Sequence, residues 1–165
     1  MVILMKINHI ELIPYSDKYK DILQSINNDN SNHFVKQIDE RLVFGNHADE
    51  FKLNSGYLVK IDDNIVGYIY FSAISNYRMY IEYLILSCYR KKGYGSLLLK
   101  ESTDYILDNY NIKQICLDID KSNLASMKTA ISCGYMYDDS DLIDNSNSIN
   151  FSFDNIYYID KGKKH

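Results

Sequence analysis

Arg90, Lys91, Lys92, Gly93, Tyr94, Gly95 and Ser96 form a run whose residue types suit the holding of a phosphate. Three cations supply charge, and the glycines let the backbone come close to a ligand. The run follows an apolar, strand-like stretch at 80–86 and opens a helix-like stretch at 97–110. A helix N-terminus has unpaired N–H groups and partial positive charge, so it stabilises an anion. A short glycine pattern is weak evidence by itself, and its surroundings decide its meaning. Glu82 is the other group with chemical promise, being the only acid between Met79 and Leu86. A carboxylate in such a run costs free energy unless it is paired or functional. In a functional role it would be a general base; in a structural one it would pair with Arg78 or a lysine.

The elements that must position these groups belong to a chain of 165 residues, enough for one domain with a sizeable core, expected to span 1–165. Hydrophobic residues make up 46%, as in folded rather than disordered proteins. A net charge of −4 argues against broad nucleic-acid binding, so the basic run is a local feature of an acidic protein. Cys88, Cys116 and Cys133 are odd in number and have no Cys-x-x-Cys spacing. Neither a zinc site nor a disulfide framework is expected, and reduced thiols in a cytoplasm are the simpler reading. Met1 to Met5 is too short and uncharged for a signal-peptide core. No apolar run approaches the roughly 20 residues that cross a bilayer. The expectation is a cytoplasmic protein without metal, membrane or nucleic-acid partners.

Residues 7–12 read as a first strand, closed by Pro14. Tyr19, Ile22, Leu23 and Ile26 recur at helical spacing behind a cap at Ser16 or Asp17. Phe34, Val35, Ile38 and Leu42 predict a second short helix, and 45–56 a polar loop. Stretches 57–61 and 65–71 read as strands joined by an Asp62-Asp63-Asn64 hairpin turn. The run at 80–86 is apolar enough for a strand covered on both faces. A helix at 97–110, a strand at 115–119, a helix carrying Met127, Ala130 and Ile131, and a strand from Tyr135 follow. A loop at 138–148 and a last strand at 149–159 end the order. It predicts a mixed α/β (α+β) domain with a mostly antiparallel front and one right-handed crossover.

In this order the chain resembles the GNAT superfamily of acyl-CoA-dependent N-acetyltransferases. The signature Gln/Arg-x-x-Gly-x-Gly/Ala matches Arg90, Gly93 and Gly95, and a second one, Asn-x-x-Ser/Ala followed by Gly-Phe or Gly-Tyr, matches Asn123, Ser126, Gly134 and Tyr135. The resemblance implies a mostly antiparallel central sheet of about six or seven strands flanked by about four helices. It implies acetyl-CoA as co-substrate, its pyrophosphate on the N–H groups of Lys91, Lys92, Gly93, Tyr94, Gly95 and Ser96, with Arg90 adding charge. Backbone groups of Tyr83, Leu84 and Ile85 would pair with the pantetheine arm. Asn123 would meet that arm from the other side with Ser126 nearby, although its type and place also suit a helix cap.

Direct acetyl transfer to a primary amine needs a base for the amine proton and a donor for the carbonyl oxygen. Glu82 is the first candidate base. Asp118, five positions before Asn123 where some family members carry a catalytic Glu, is the second; its neighbour Asp120 also fits a plain polar strand face. In this family the oxygen's donor is usually a strand N–H, here near Leu84, Ile85 or Leu86. Many members carry a tyrosine acid seven residues after the Asn, and this chain has Ala130 there. Tyr135 and Tyr137 are near in sequence, and a thiolate can also take its proton from water. The departure keeps a second reading open, a non-catalytic acyl-CoA-binding or sensing module. Cys88 has no evident His partner and reads as an ordinary thiol. His9, His33 and His47 read as surface or satisfied histidines. Asp49, Glu50, Asp138, Asp139, Asp141 and Asp144 make the expected acceptor side acidic, which suits a small cationic amine, an antibiotic or a peptide amino group. Acidic loops also serve solubility alone. The residues leave open the acceptor's identity and whether the chain forms a homodimer.

Overall fold

The computed structural model describes residues 5–32, 54–138 and 147–154. Strands β1 (Met5–Ile7) and β2 (Ile10–Ile13) lead through a 3-10 turn into helix α1 (Lys20–Asn28) and a short turn at Asn30–Asn32. Strands β3 (Ser55–Ile61), β4 (Asn64–Ala73) and β5 (Arg78–Ile85) follow. A 3-10 turn at Ser87–Tyr89 precedes helix α2 (Tyr94–Asn109). Then come β6 (Gln114–Asp120), α3 (Leu124–Ser132), β7 (Met136–Asp138) and β8 (Ser148–Asp154).

The strands form one eight-stranded sheet in the order β1-β2-β3-β4-β5-β6-β8-β7. Every pairing is antiparallel except β5 with β6, which α2 connects as a crossover. The fold is the mixed α+β arrangement the sequence predicts, with one or two strands more than expected. The expected helix around Phe34 to Leu42 lies outside the described residues, as do most of the loops at 45–56 and 138–148 and the end of the last strand. No helix among the described residues is long and apolar enough to cross a membrane.

The first strand is in fact a hairpin. Asn8 and His9 form its turn, with Asn8 in the left-handed region at φ 43°. Ile7, Ile10 and Leu12 on either side of the bend read as one short strand, and Asn8-His9 is too brief an interruption to stand out. Glu101 of α2 is nearly buried and ties the turn down, accepting the His9 N–H at 3.1 Å and lying 2.6 Å from His9 Nδ1. The β3–β4 turn is as predicted: Asp62 and Asp63 both have positive φ, the conformation of a two-residue hairpin loop. Ser55 and Gly56, expected in a loop, pair with Phe71 and Tyr70 instead.

Two apolar layers clasp the sheet. On one face Leu98, Leu99 and Ile106 of α2 and Ala130 of α3 pack on Ile69, Phe71, Met79, Ile81 and Ile115. On the other, Ile22, Leu23 and Ile26 of α1 pack on Ile13, Leu58, Tyr68 and Leu84. β5 therefore alternates, with Ile81, Tyr83 and Ile85 toward α2 and α3, and Leu84 toward α1.

A bulge interrupts β4. Val59 pairs with Gly67 and Lys60 with Ile65, so Val66 is the extra residue. Gly67 follows it and lies against the end of β5, where an added Cβ would sit 2.0 Å from the Leu84 carbonyl oxygen. Bulges bend a strand and sharpen its twist. The ladder from β5 to β6 runs only from Arg78↔Gln114 to Tyr80↔Cys116, and beyond Tyr80 the two strands no longer pair.

Candidate active site

The parting of β5 from β6 leaves an open groove between them. Ile81, Glu82 and Tyr83 line it from β5, Leu117, Asp118, Ile119 and Asp120 from β6, and Asn123 and Ser126 from the start of α3. The structure thus brings Glu82, Asp118, Tyr83, Asn123 and Ser126 of the expected site into one cleft. Asp120, read from sequence as part of a plain polar strand face, and the apolar Ile81, Leu117 and Ile119 also line it. A splay between two strands is a matter of register, and composition does not encode it.

Glu82 and Tyr83 stand on opposite faces of β5 and both reach the groove, because it opens edge-on between strands. The Tyr68 hydroxyl donates to Glu82 Oε1 at 3.5 Å from a fully buried ring. The Tyr83 hydroxyl lies 3.5 Å from Ser126 Oγ. Burial pushes the Tyr83 phenol above its ordinary pKa, against the opposing pull of Ser126 and Thr129. Asp118 is exposed, and one oxygen of Asp120 is taken by the Ser122 N–H and hydroxyl at 2.8 and 2.6 Å.

Asn123 takes the cap that its type and place suit, and it also borders the groove. Its Oδ1 caps α3 by accepting the Ser126 N–H at 3.2 Å, and its residue lines the groove. The Gly134-Tyr135 ending is structural. Gly134 and Tyr135 donate to the Ile131 and Ala130 carbonyls, which closes α3 with a left-handed residue. The Tyr135 hydroxyl meets Thr103 Oγ1 at 2.7 Å, and burial pushes its phenol far up. Neither Tyr135 nor the exposed Tyr137 lines the groove, and Ala130 is fully buried.

At the far end of β5 the chain turns into α2. Lys91 and Gly93 are both left-handed, at φ 62° and 81°, and Gly93 is the residue that begins the helix. No backbone hydrogen bond among the described residues engages the N–H groups of Lys91, Lys92, Gly93, Tyr94, Gly95 or Ser96. Lys91 and Lys92 are exposed, and the Lys92 ammonium lies 5.5 Å from the Tyr89 ring centre.

Arg90 does something else. Its Nε donates to the Ile85 carbonyl at 2.9 Å, and its two terminal nitrogens donate to Ser31 Oγ at 2.7 Å and Asn32 Oδ1 at 2.6 Å. The side chain expected to add charge to the phosphate run instead fastens the end of β5 to the turn after α1. In that turn the Ser31 hydroxyl, then the Ser87 hydroxyl, hold the Asp29 carboxyl at about 2, and the Arg90 charge adds to the effect. Arg90→Ala is expected to cost about 1–3 kcal/mol, with little recovery in Arg90→Lys, because one ammonium cannot reach three separated acceptors. Chemical denaturation of the three proteins measures this.

The profile of the acetyltransferase (GNAT) family matches residues 19–135. No curated protein matches the chain in sequence. Among solved structures it is similar to an acetyltransferase from Agrobacterium tumefaciens, 11% identical over 92% of this chain and 94% of that one, with a TM-score of 0.72. It is similar to the microcin self-immunity acetyltransferase MccE in complex with acetyl-CoA and AMP, 18% identical over 94% and 100%, TM-score 0.66. It is also similar to a spermidine N-acetyltransferase chimera from Vibrio cholerae and hSSAT, 15% identical over 93% and 99%, TM-score 0.67. At such identities the likeness is one of fold.

Proposed function

The chain belongs to the GNAT family of acetyltransferases, and from that premise we propose that it moves an acetyl group from acetyl-CoA directly to a primary amine of a cationic acceptor. The groove between β5 and β6 carries this reading. It puts three carboxylates, Glu82, Asp118 and Asp120, among its lining, and no Lys or Arg among the described residues that line it. A protonated amine is drawn to such a cleft and must lose a proton there before it attacks. MccE held with acetyl-CoA, and a neighbour that acetylates spermidine, agree with the donor and with the acceptor class.

The donor would reach the groove from the far end of β5, where the chain turns into α2. The N–H groups of Lys91 to Ser96, engaged by no backbone carbonyl among the described residues, suit a pyrophosphate, as a helix N-terminus does generally. The pantetheine arm would run along the edge of β5 at Tyr83, Leu84 and Ile85, where β6 has turned away. Asn123, its oxygen committed to the cap, would offer its amide N–H to that arm from the opposite wall. A backbone N–H near Leu84 would meet the oxygen as it gathers charge. Glu82 would take the amine proton. Asp118, exposed at the mouth, is placed to attract the acceptor.

Purified protein incubated with acetyl-CoA and spermidine, kanamycin or trialanine, with thiol release followed, tests the reading. Turnover of a cationic amine is expected, with an acceptor KM that rises about threefold or more between low and high salt as screening weakens the attraction. Asp118→Asn with Asp120→Asn should raise the KM at low salt and flatten that dependence. Binding of acetyl-CoA with no turnover across the panel would sink the reading and favour an acyl-CoA sensor.

A further inference from the structure

Acetyl transfer ends when the thioester C–S bond breaks and sulfur leaves with the electron pair. A thiolate leaves more easily if it receives a proton as it goes. Among the described residues lining the groove, few can give one. Ionised carboxylates accept only, and an amide holds its protons too tightly. Ile81, Leu117 and Ile119 have none to give. Two hydroxyls remain, Tyr83 and Ser126, and they lie 3.5 Å apart. A phenol is much the stronger acid of the two.

We propose that Tyr83 gives its proton to the departing thiolate of coenzyme A, with Ser126 holding the phenol in position. The proposal rests on the acetyl-transfer reading above. The faces of β5 support it. Glu82 belongs to the face where Tyr68 and α1 pack, and Tyr83 to the face of α2 and α3. A carbonyl carbon held at the strand edge would thus have its base on one side and its acid on the other. The amine attacks from the Glu82 side and the sulfur leaves toward Tyr83. Burial also keeps the phenol protonated.

The step balances. The amine nitrogen bonds to the carbonyl carbon, and Glu82 takes the N–H proton. The C–S bond breaks, its electron pair goes to sulfur, and the Tyr83 O–H proton follows. The phenolate regains a proton from water, and Glu82 gives up its own to water. An amine and acetyl-CoA become an acetamide and the coenzyme A thiol.

Tyr83→Phe keeps the ring and tests the assignment in the full chain, with the best amine from the panel as acceptor. The kcat is expected to fall about 10²-fold with acetyl-CoA KM and melting temperature nearly unchanged. Raising the concentration of a small buffer acid such as MES, at fixed pH and ionic strength, should speed the variant and leave the wild type alone. Ser126→Ala should lower kcat less and gain less from the buffer. An active wild type with an equally active Tyr83→Phe overturns the proposal alone, as does a loss that buffer acid does not restore. A wild type that binds acetyl-CoA but acetylates no amine overturns the transfer reading and this proposal together.

Discussion

Glu82→Gln is expected to lower kcat about 10²-fold or more while leaving the affinity for coenzyme A within about twofold. The substitution is nearly isosteric, so the Tyr68 hydroxyl keeps a partner and the strand keeps its packing. What it removes is a proton acceptor at the groove. The loss should therefore sit in kcat, with the acceptor KM rising only as far as one fewer carboxylate weakens attraction. Asp118→Asn provides the contrast. That carboxylate is exposed at the mouth of the same groove, and its loss should act mainly on KM. Steady-state kinetics on both variants, with coenzyme A affinity from calorimetry, decide the matter. An unchanged kcat in Glu82→Gln would move the base to Asp118 or to a water.

Glu82 also shows why the site was partly legible from residue types. A single acid in an apolar strand is conspicuous, because burying it without purpose costs free energy. The basic, glycine-bearing run at 90–96 was conspicuous through its surroundings, lying between an apolar strand and the start of a helix. Less visible was how these groups are shared with the scaffold. Arg90 reads as one more cation beside Lys91 and Lys92, yet three of its donors go to Ile85, Ser31 and Asn32. Those acceptors lie 58 and 59 residues away in the case of Asn32 and Ser31, and only tertiary structure brings them together. Tyr83 was legible only through its backbone. Its hydroxyl matters because of Ser126, 43 residues distant, and because β6 leaves β5 just before it. The strands themselves were read from apolar, β-branched and aromatic runs, which mark where they are and not where one stops pairing with its neighbour.

Gly67→Ala is the substitution expected to do most damage for its size. It belongs to no motif, and in the sequence it is only a small residue inside a strand. In the fold, an added Cβ would lie 2.0 Å from the Leu84 carbonyl oxygen and 3.1 Å from its carbon. Both are backbone atoms, so no side chain can swing aside, and β5 itself must move. Overpacking of this kind costs about 1–3 kcal/mol, or roughly 2–12 °C in melting temperature for a chain of this length. The displaced segment is the edge proposed to carry the pantetheine arm and the oxyanion donor, so affinity for coenzyme A should fall with stability. Gly95→Ala separates the two effects. A Cβ there would meet the Tyr83 ring at 3.7 Å and Ile85 at 3.8 Å, ordinary contact distances, and alanine suits a helix better than glycine does. Stability should hold or rise slightly while coenzyme A binding weakens about tenfold or more, because the new methyl stands beside the proposed phosphate cradle. Melting curves and calorimetry on both variants give the four numbers required. If Gly67→Ala melts as the wild type does, the close approach of β4 to β5 is wrong. If Gly95→Ala binds coenzyme A as the wild type does, the helix N-terminus does not hold the phosphates.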